Sequence, residues 1–285
     1  MAPRPHSRGN RSPVHITGMY RAGITAVRHL GRLFRHLLRA MAAAPLTVQA
    51  FVGAAVILAA WLTFNWMYQA IRKPTEVFFP MSTVLHKTPA ETWRRYGPLF
   101  SKHSTAVITP ELLAALAQVE GGGNPLARTY WRWSLAPNPF DMYQPASSAV
   151  GMYQITDATF REAKRFCIRN HMVVADGPWH DMRSCWFNRL YSRVVPSHAV
   201  ELTAALLDRG VASVVARQRI TTATRQQKQD LAAVIHLCGA GAGDAYARRG
   251  FRLTTNQQCG DHDVKVYLSK VNAMKRQFAR LAAAG

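Results

Sequence analysis

Glu120 is the residue in this chain best placed for general acid–base chemistry. It follows Leu116 by four residues and Leu113 by seven, so in a helix the three side chains share one face and Glu120 extends an apolar stripe. Three glycines follow it, which predicts that the helix ends there, with the carboxyl group at the negative end of the helix dipole. The apolar stripe and the helix dipole both disfavour the charged carboxylate, and a general acid requires the protonated form. The alternative is an exposed glutamate in the last helical turn.

A second motif lies about twenty residues further along the chain, where residues 147–157 read SSAVGMYQITD. Together with the segment around Glu120, it resembles the Q-x-E-x-G-x-N-P and S-x-A-x-G-(L/M)-x-Q-I motifs of the soluble-lytic-transglycosylase (SLT) family. The matching positions are Gln118, Glu120, Gly122, Asn124 and Pro125, then Ser147, Ala149, Gly151, Met152, Gln154 and Ile155.

Two weaker motifs follow in the order that the family shows. Residues 231–243 are similar to its A-x-x-Y-N-x-G-x-G segment, with Gly239 and Gly241 on the two glycines, and Tyr267 resembles the tyrosine near the start of its last helix. The resemblance covers about residues 108–275. It implies a mainly α, lysozyme-like fold (α+β with minimal β) and cleavage of peptidoglycan glycan strands, with no metal or cofactor.

The resemblance also implies roles for individual residues. Glu120 would be the catalytic acid and base, Tyr267 would orient it, and His236 would do so in place of a tyrosine that this chain lacks. Gln154 and the backbone near Met152 and Tyr153 would line the sugar site. The full set of expected substrate-binding residues is Asn124, Ser147, Met152, Tyr153, Gln154, His236, Tyr267, Trp131 and Trp133.

Several positions depart from the family pattern. Gly121 replaces a common serine, His236-Leu237 replaces Tyr-Asn, and Tyr153 replaces a common methionine. The segment between the first two motifs is longer than usual and aromatic-rich, so Trp131 and Trp133 could form a groove wall for sugar stacking or a cap on the core. Two alternatives stay open: a lysozyme-type hydrolase, which would share the fold and the acid, and a catalytically weak glycan-binding module of an envelope assembly, which these departures favour.

The elements before this domain indicate a membrane anchor. Residues 46–68 contain no charged side chain. As a helix, this segment is long enough to span about 30 Å of hydrocarbon. Residues 1–45 carry eight arginines and no acidic residue, so we expect them in the cytoplasm, with a linker at 69–87 and the SLT-like domain at 88–280 in the periplasm. A cleaved signal peptide is the alternative. Arginines near residues 28–39 recur at helical spacing, which fits an amphipathic helix on the inner leaflet or a disordered basic tail.

The net charge indicates the kind of partner, and the cysteines indicate the compartment. The formal net charge of +21 suits a polyanionic partner, but no recognised nucleic-acid-binding module accompanies it. We therefore expect peptidoglycan, the inner membrane and an envelope protein complex as partners, and no nucleic acid. Loop proximity favours two disulfides in an exported domain, Cys167–Cys185 and Cys238–Cys259, although three pairings are conceivable.

Capping and apolar periodicity predict the helices of the domain. Thr88-Pro89 opens a short helix that ends at Gly97, and Thr109 caps the helix that carries Glu120. Further helices are predicted from Ser197 to near Gly210, from Leu231 to a stop at Gly239, and from Val264 to the C-terminus. Strand signals are weak.

Overall fold

The computed structural model describes residues 29, 32, 35, 36, 39–81, 85–181 and 183–284, with side chains omitted at 78–81. The amphipathic helix predicted around Arg28 falls largely outside the described residues. Two compact units are present, Met1–Phe64 and Asn65–Gly285. The described part of the chain is mainly helical, with 60% of its residues in helices and 9% in strands, as the sequence predicts.

The helices are α1 Leu46–Arg72, α2 Pro89–Lys102, α3 Pro110–Gly121, α4 Asp157–Ala163, α5 Pro196–Arg217, α6 Arg225–Cys238, α7 Ala240–Arg248 and α8 Val264–Ala283. The strands are β1 Trp131–Trp133, β2 Tyr143–Pro145, β3 Phe166–Arg169, β4 Met172–Ala175, β5 Gln258–Cys259 and β6 His262–Asp263. They pair as three antiparallel hairpins, β1–β2, β3–β4 and β5–β6. Three 3₁₀ segments, Pro74–Met81, Pro139–Asp141 and Trp186–Leu190, complete the described elements.

Helix α1 is long and apolar enough to cross a membrane. It runs four residues beyond the predicted boundary at Tyr68 and ends at Arg72. Residues 69–71 are uncharged and include no proline or glycine, so nothing in the local sequence stops the helix at Tyr68.

The core of the second unit is built around α3. This helix begins with the predicted Thr109 cap and Pro110, and its middle is buried on nearly every side, since Leu112, Leu113 and Leu116 are all at most 1% exposed. Helices α2 and α8 pack against it. A helix that is apolar all round needs such cover, and this places its C-terminal end inside the domain.

Predicted boundaries of three helices are wrong. Helix α6 begins at Arg225, capped by Thr224, and not at Leu231. Helix α2 passes through Gly97 and Pro98 to Lys102, because continuing the helix buries Phe100 completely in the core. Helix α5 begins after Val195, with no side-chain cap from Ser197, and passes through Gly210 to Arg217. Gly210 is a packing residue, since a Cβ there would lie 3.5 Å from the side chain of Ile235.

Other expectations are confirmed. Helix α6 ends at the predicted glycine, Gly239, and α8 runs from Val264 nearly to the C-terminus. Both predicted disulfides, Cys167–Cys185 and Cys238–Cys259, are present. Part of the expected linker is folded: Glu76, in the 3₁₀ segment after α1, is fully buried and ion-paired with Arg128.

Candidate active site

A cleft of about 530 Å³ lies at the C-terminal end of α3. Five parts of the chain form it: the end of α3, the segment that follows the first motif, the second motif at Gln154, the end of α6, and the β5–β6 hairpin with the start of α8. Its lining residues are Val119, Glu120, Arg128, Thr129, Tyr130, Gln154, Leu237, Asp261, His262, Asp263, Val266, Tyr267 and Lys270. Three residues predicted for the site, Glu120, Gln154 and Tyr267, therefore line one cavity.

Glu120 lies in the last turn of α3, as predicted. Gly122 caps this helix in the left-handed conformation, with φ of 57°, which is costly for residues other than glycine. The glutamate side chain is 17% exposed, so it is neither in the core nor free in solvent. The helix end thus presents one partly desolvated carboxyl group to the cleft.

Tyr267 holds this carboxyl group from the facing helix. Its hydroxyl donates a hydrogen bond to Glu120 Oε1 at 2.6 Å, a contact made possible because α8 packs along α3. Burial, the negative charge of Glu120 and this hydrogen bond raise the pKa of the Tyr267 phenol well above its ordinary value. The phenol therefore remains a proton-bearing donor throughout the physiological pH range.

His236 approaches the same oxygen of this carboxyl group. Its Nε2 is 3.7 Å from Glu120 Oε1, and its side chain is 11% exposed. That distance is too long for a hydrogen bond, so His236 contacts the site without fixing Glu120 as Tyr267 does. His236 lies in the last turn of helix α6, which ends before Gly239.

The second motif packs its backbone against the end of α3. A Cβ on Gly121 would lie 2.8 Å from Met152 Cα and 2.9 Å from its carbonyl oxygen. Gly121, one of the departures from the family pattern, is therefore required by this close approach. Gln154, at φ of 46°, donates its side-chain amide to the carbonyl oxygens of Ala127 and Gly151, which joins the two motifs at the cleft.

The side chains of Met152 and Tyr153 do not line the cleft. Both are fully buried in the core, and neither residue is part of the cleft lining, so a backbone role in the sugar site stays a prediction. The Tyr153 hydroxyl has no hydrogen-bond partner among the described residues. Burial raises the pKa of this phenol well above its ordinary value.

Asn124 and Ser147 stabilise turns and lie outside the cleft lining. Asn124 is fully buried, and its side-chain oxygen accepts the Leu126 backbone N–H at 2.8 Å. The Ser147 hydroxyl accepts the Ala149 backbone N–H at 3.1 Å. Both side chains shape the loops of the two motifs, and neither reaches the carboxyl group of Glu120.

The aromatic insert forms the β1–β2 hairpin, but its tryptophans do not line the cleft. Trp131 donates its indole N–H to Glu76 Oε2 at 2.9 Å, and Trp133 stacks on Tyr143 with ring centroids 4.7 Å apart. Sugar stacking on these two side chains therefore stays a prediction that the cleft lining does not support. Tyr130, which precedes β1 and is 66% exposed, lines the cleft instead.

The β5–β6 hairpin forms a wall of the cleft that was not predicted from the sequence. The Cys238–Cys259 disulfide ties this hairpin to the end of α6, which carries His236. Asp263 caps α8 by accepting the Val266 backbone N–H at 2.8 Å, while Asp261 is exposed at the turn. The predicted start of α8 at Val264 and the predicted disulfide were the available signals for this wall.

Comparison with known proteins assigns no family. No protein-family model matches the chain, and no curated protein matches it. Among the residues that the structure describes, no group of three or more His, Cys, Asp or Glu side chains could hold a metal ion. The site is thus characterised by its own geometry.

Proposed function

We propose that this chain is a membrane-anchored peptidoglycan lytic transglycosylase whose second unit has a lysozyme-like fold. The observation that carries the proposal is the hydrogen bond between Tyr267 and Glu120 in a cleft at the end of a buried helix. The sequence resemblance supports it, since residues matched to three of its motifs, Glu120, Gln154 and Tyr267, line this one cavity. Cleavage of the bond between MurNAc and GlcNAc would yield 1,6-anhydroMurNAc ends.

One carboxyl group is sufficient for this reaction. Protonated Glu120 donates its proton to the bridging oxygen as the glycosidic C–O bond breaks, and the MurNAc acetamido group assists at the anomeric carbon. The Glu120 carboxylate then takes the proton of the MurNAc 6-hydroxyl, and O6 bonds to the anomeric carbon to close the anhydro ring. The proton is thereby returned, and no water is consumed.

The surroundings of Glu120 fit this proton shuttle. Tyr267 engages Oε1, and Oε2 has no hydrogen-bond partner among the described residues, so Oε2 is the oxygen available to substrate. A carboxyl group that is already held in place loses little conformational entropy when it reaches the reactive orientation. The exposed phenol ring of Tyr130 and the amide of Gln154 lie on the same cleft, where they would contact the sugars.

The anchor and location form the second part of the proposal. Helix α1 would span the inner membrane once, with the arginine-rich N-terminus in the cytoplasm and the catalytic unit in the periplasm. The two disulfides support an oxidising compartment. A C-terminal reporter fusion should be active only when the reporter requires the periplasm, and activity confined to the cytoplasm would contradict this topology.

A lysozyme-type hydrolase is the second candidate, and one observation favours it. Asp261 adds an exposed carboxylate to the lining of the same cleft, and hydrolysing glycosidases commonly use two carboxyl groups. If Asp261 were the second one, Asp261→Asn would abolish turnover and the products would have reducing ends. The transglycosylase proposal expects Asp261→Asn to keep turnover.

The matched pair Glu120→Gln and Glu111→Gln tests the proposal. Both residues lie on α3, with Glu111 in its first turn. Because the amide cannot transfer protons, Glu120→Gln should lower kcat on purified peptidoglycan by at least about 100-fold, while Glu111→Gln should leave it unchanged. Circular dichroism and glycan pull-down should show that both variants fold and bind. Wild-type turnover by Glu120→Gln would refute the assignment, and a wild-type protein that binds glycan without cleaving it would favour a binding module.

A further inference from the structure

The C-terminal end of helix α1 packs against residues 130–146, the aromatic-rich segment between the first two motifs. Asn65 and Gln69 are only 1% and 4% exposed, although both are polar residues in an otherwise apolar helix. Their side-chain amides donate to the carbonyl oxygens of Tyr143 and Phe140, each at 2.7 Å. Buried amides require such partners, so the two polar residues are explained by the insert that covers them. We call residues 130–146 the collar hairpin.

A second group of contacts continues this grip beyond the helix. Arg72 Nη1 lies 2.8 Å from Asp141 Oδ1, and the fully buried Glu76 pairs with Lys73 at 3.2 Å and with Arg128 at 3.1 Å. A buried carboxylate that lost these cations would be strongly destabilising. The collar hairpin is therefore fixed to residues 65–76.

The apolar length of α1 locates this grip relative to a bilayer. The segment from Leu46 to Phe64 has 19 residues, which in a helix is about 28 Å and close to the roughly 30 Å of a hydrocarbon core. Asn65, the first gripped residue, thus stands where the helix leaves the hydrocarbon. The collar hairpin contacts the one or two turns that follow, at the level of the lipid headgroups.

The collar hairpin displays side chains suited to that level. Trp133 is 63% exposed even though its ring stacks on Tyr143, and Leu135 is fully exposed. Arg132 is exposed beside them. Tryptophan is enriched at membrane interfaces. Transfer of a leucine side chain out of water is favourable, and arginine binds the phosphate groups of lipids.

We propose that the collar hairpin inserts Trp133 and Leu135 into the headgroup region of the membrane that α1 spans. This inference rests on the anchoring part of the proposed function. Because Tyr130 both opens the collar hairpin and lines the catalytic cleft, the inserted hairpin holds the mouth of the cleft close to the membrane surface. The enzyme would then act on the glycan nearest the membrane, not on strands far from it.

Site-specific fluorescence on the full chain tests the insertion. The native cysteines among the described residues are all in disulfides, so a single added cysteine can carry an environment-sensitive NBD probe. Leu135→Cys is compared with Leu190→Cys, a leucine 74% exposed in the 3₁₀ segment Trp186–Leu190. Each labelled protein is reconstituted in phosphatidylglycerol and phosphatidylethanolamine vesicles with or without headgroup-proximal doxyl lipid.

The proposal predicts a blue-shifted probe at position 135 that loses most of its emission to doxyl lipid, and a solvent-like, unquenched probe at position 190. Equal solvent exposure at both positions would overturn the proposal. A probe at position 135 that is blue-shifted but unquenched would show that protein covers Leu135, and equal quenching at both positions would show unspecific adsorption; either result also overturns it.

Alkaline carbonate extraction of the same vesicles separates this inference from the anchor. If the protein resists extraction while the probe at Leu135 reports water, the anchor stands and only the collar proposal fails. If the protein is extracted, α1 does not span the bilayer and both fail. Peptidoglycan cleavage is measured separately in detergent, so the catalytic proposal is judged independently of either outcome.

Discussion

Replacing Tyr267 with phenylalanine removes the hydroxyl that donates to Glu120 Oε1 at 2.6 Å and keeps the buried ring. A hydrogen bond to a charged group contributes about 1.5–3 kcal/mol, and about 1.4 kcal/mol corresponds to a tenfold change in rate. If Tyr267 orients the carboxyl group for both proton transfers, kcat should fall by about 10- to 150-fold. KM should change little, because this hydroxyl is already committed to Glu120.

The assay is initial-rate release of soluble muropeptides from purified peptidoglycan over a range of substrate concentrations. The control is Tyr246→Phe, since Tyr246 is also buried but packs against Phe251 instead of Glu120; its kcat should stay near that of the wild type. Thermal unfolding should show that both variants fold. A Tyr267→Phe variant within twofold of wild-type kcat would refute the positioning role.

Three further predictions concern the frame around the site. Replacing both cysteines of Cys238–Cys259 with serine should lower the free energy of unfolding by about 3 kcal/mol. Removing Cys167–Cys185, which closes a loop of similar length, should lower it by a similar amount. Only the loss of Cys238–Cys259 should also lower kcat, and equal kcat losses in both variants would contradict this. Gly121→Ala should destabilise the protein by about 1–3 kcal/mol in urea denaturation, whereas Gly241→Ala, with open space at its Cβ, should be neutral or stabilising. Burial lowers the pKa of the His103 imidazole below its ordinary 6.5, with Glu201 only partly opposing. The unfolded chain therefore binds a proton first as pH falls below 6.5, and stability should decline from there towards the folded-state pKa; His103→Phe should make that decline shallower, and an unchanged slope would contradict the assignment.

Local signals in the sequence were sufficient for several features. The Thr109 cap and Pro110 define the start of α3, and the glycines after Glu120 define its end, because capping depends on neighbouring residues alone. The disulfides followed from the nearness of the cysteines in the chain, and Tyr267 was found through the family motif. These features together predicted the carboxyl group and its phenol partner.

Features that depend on packing between distant segments were not predictable in the same way. Helix α2 continues past Gly97 because Phe100 is buried by the rest of the core, which local propensity cannot show. The place of Trp131 outside the cleft lining depends on its indole N–H donating to Glu76, 55 residues earlier in the chain, which no local pattern shows. The contribution of Asp261 to the cleft depends on the hairpin that the Cys238–Cys259 disulfide holds in place.

The most direct test of the central claim is mass spectrometry of the products formed from purified peptidoglycan in oxygen-18 water. If Glu120 returns the proton through the MurNAc 6-hydroxyl, the new ends are 1,6-anhydroMurNAc and contain no oxygen-18, because no water enters the reaction. Reducing ends that each carry one oxygen-18 atom would show hydrolysis and would contradict the transglycosylase mechanism proposed for this site.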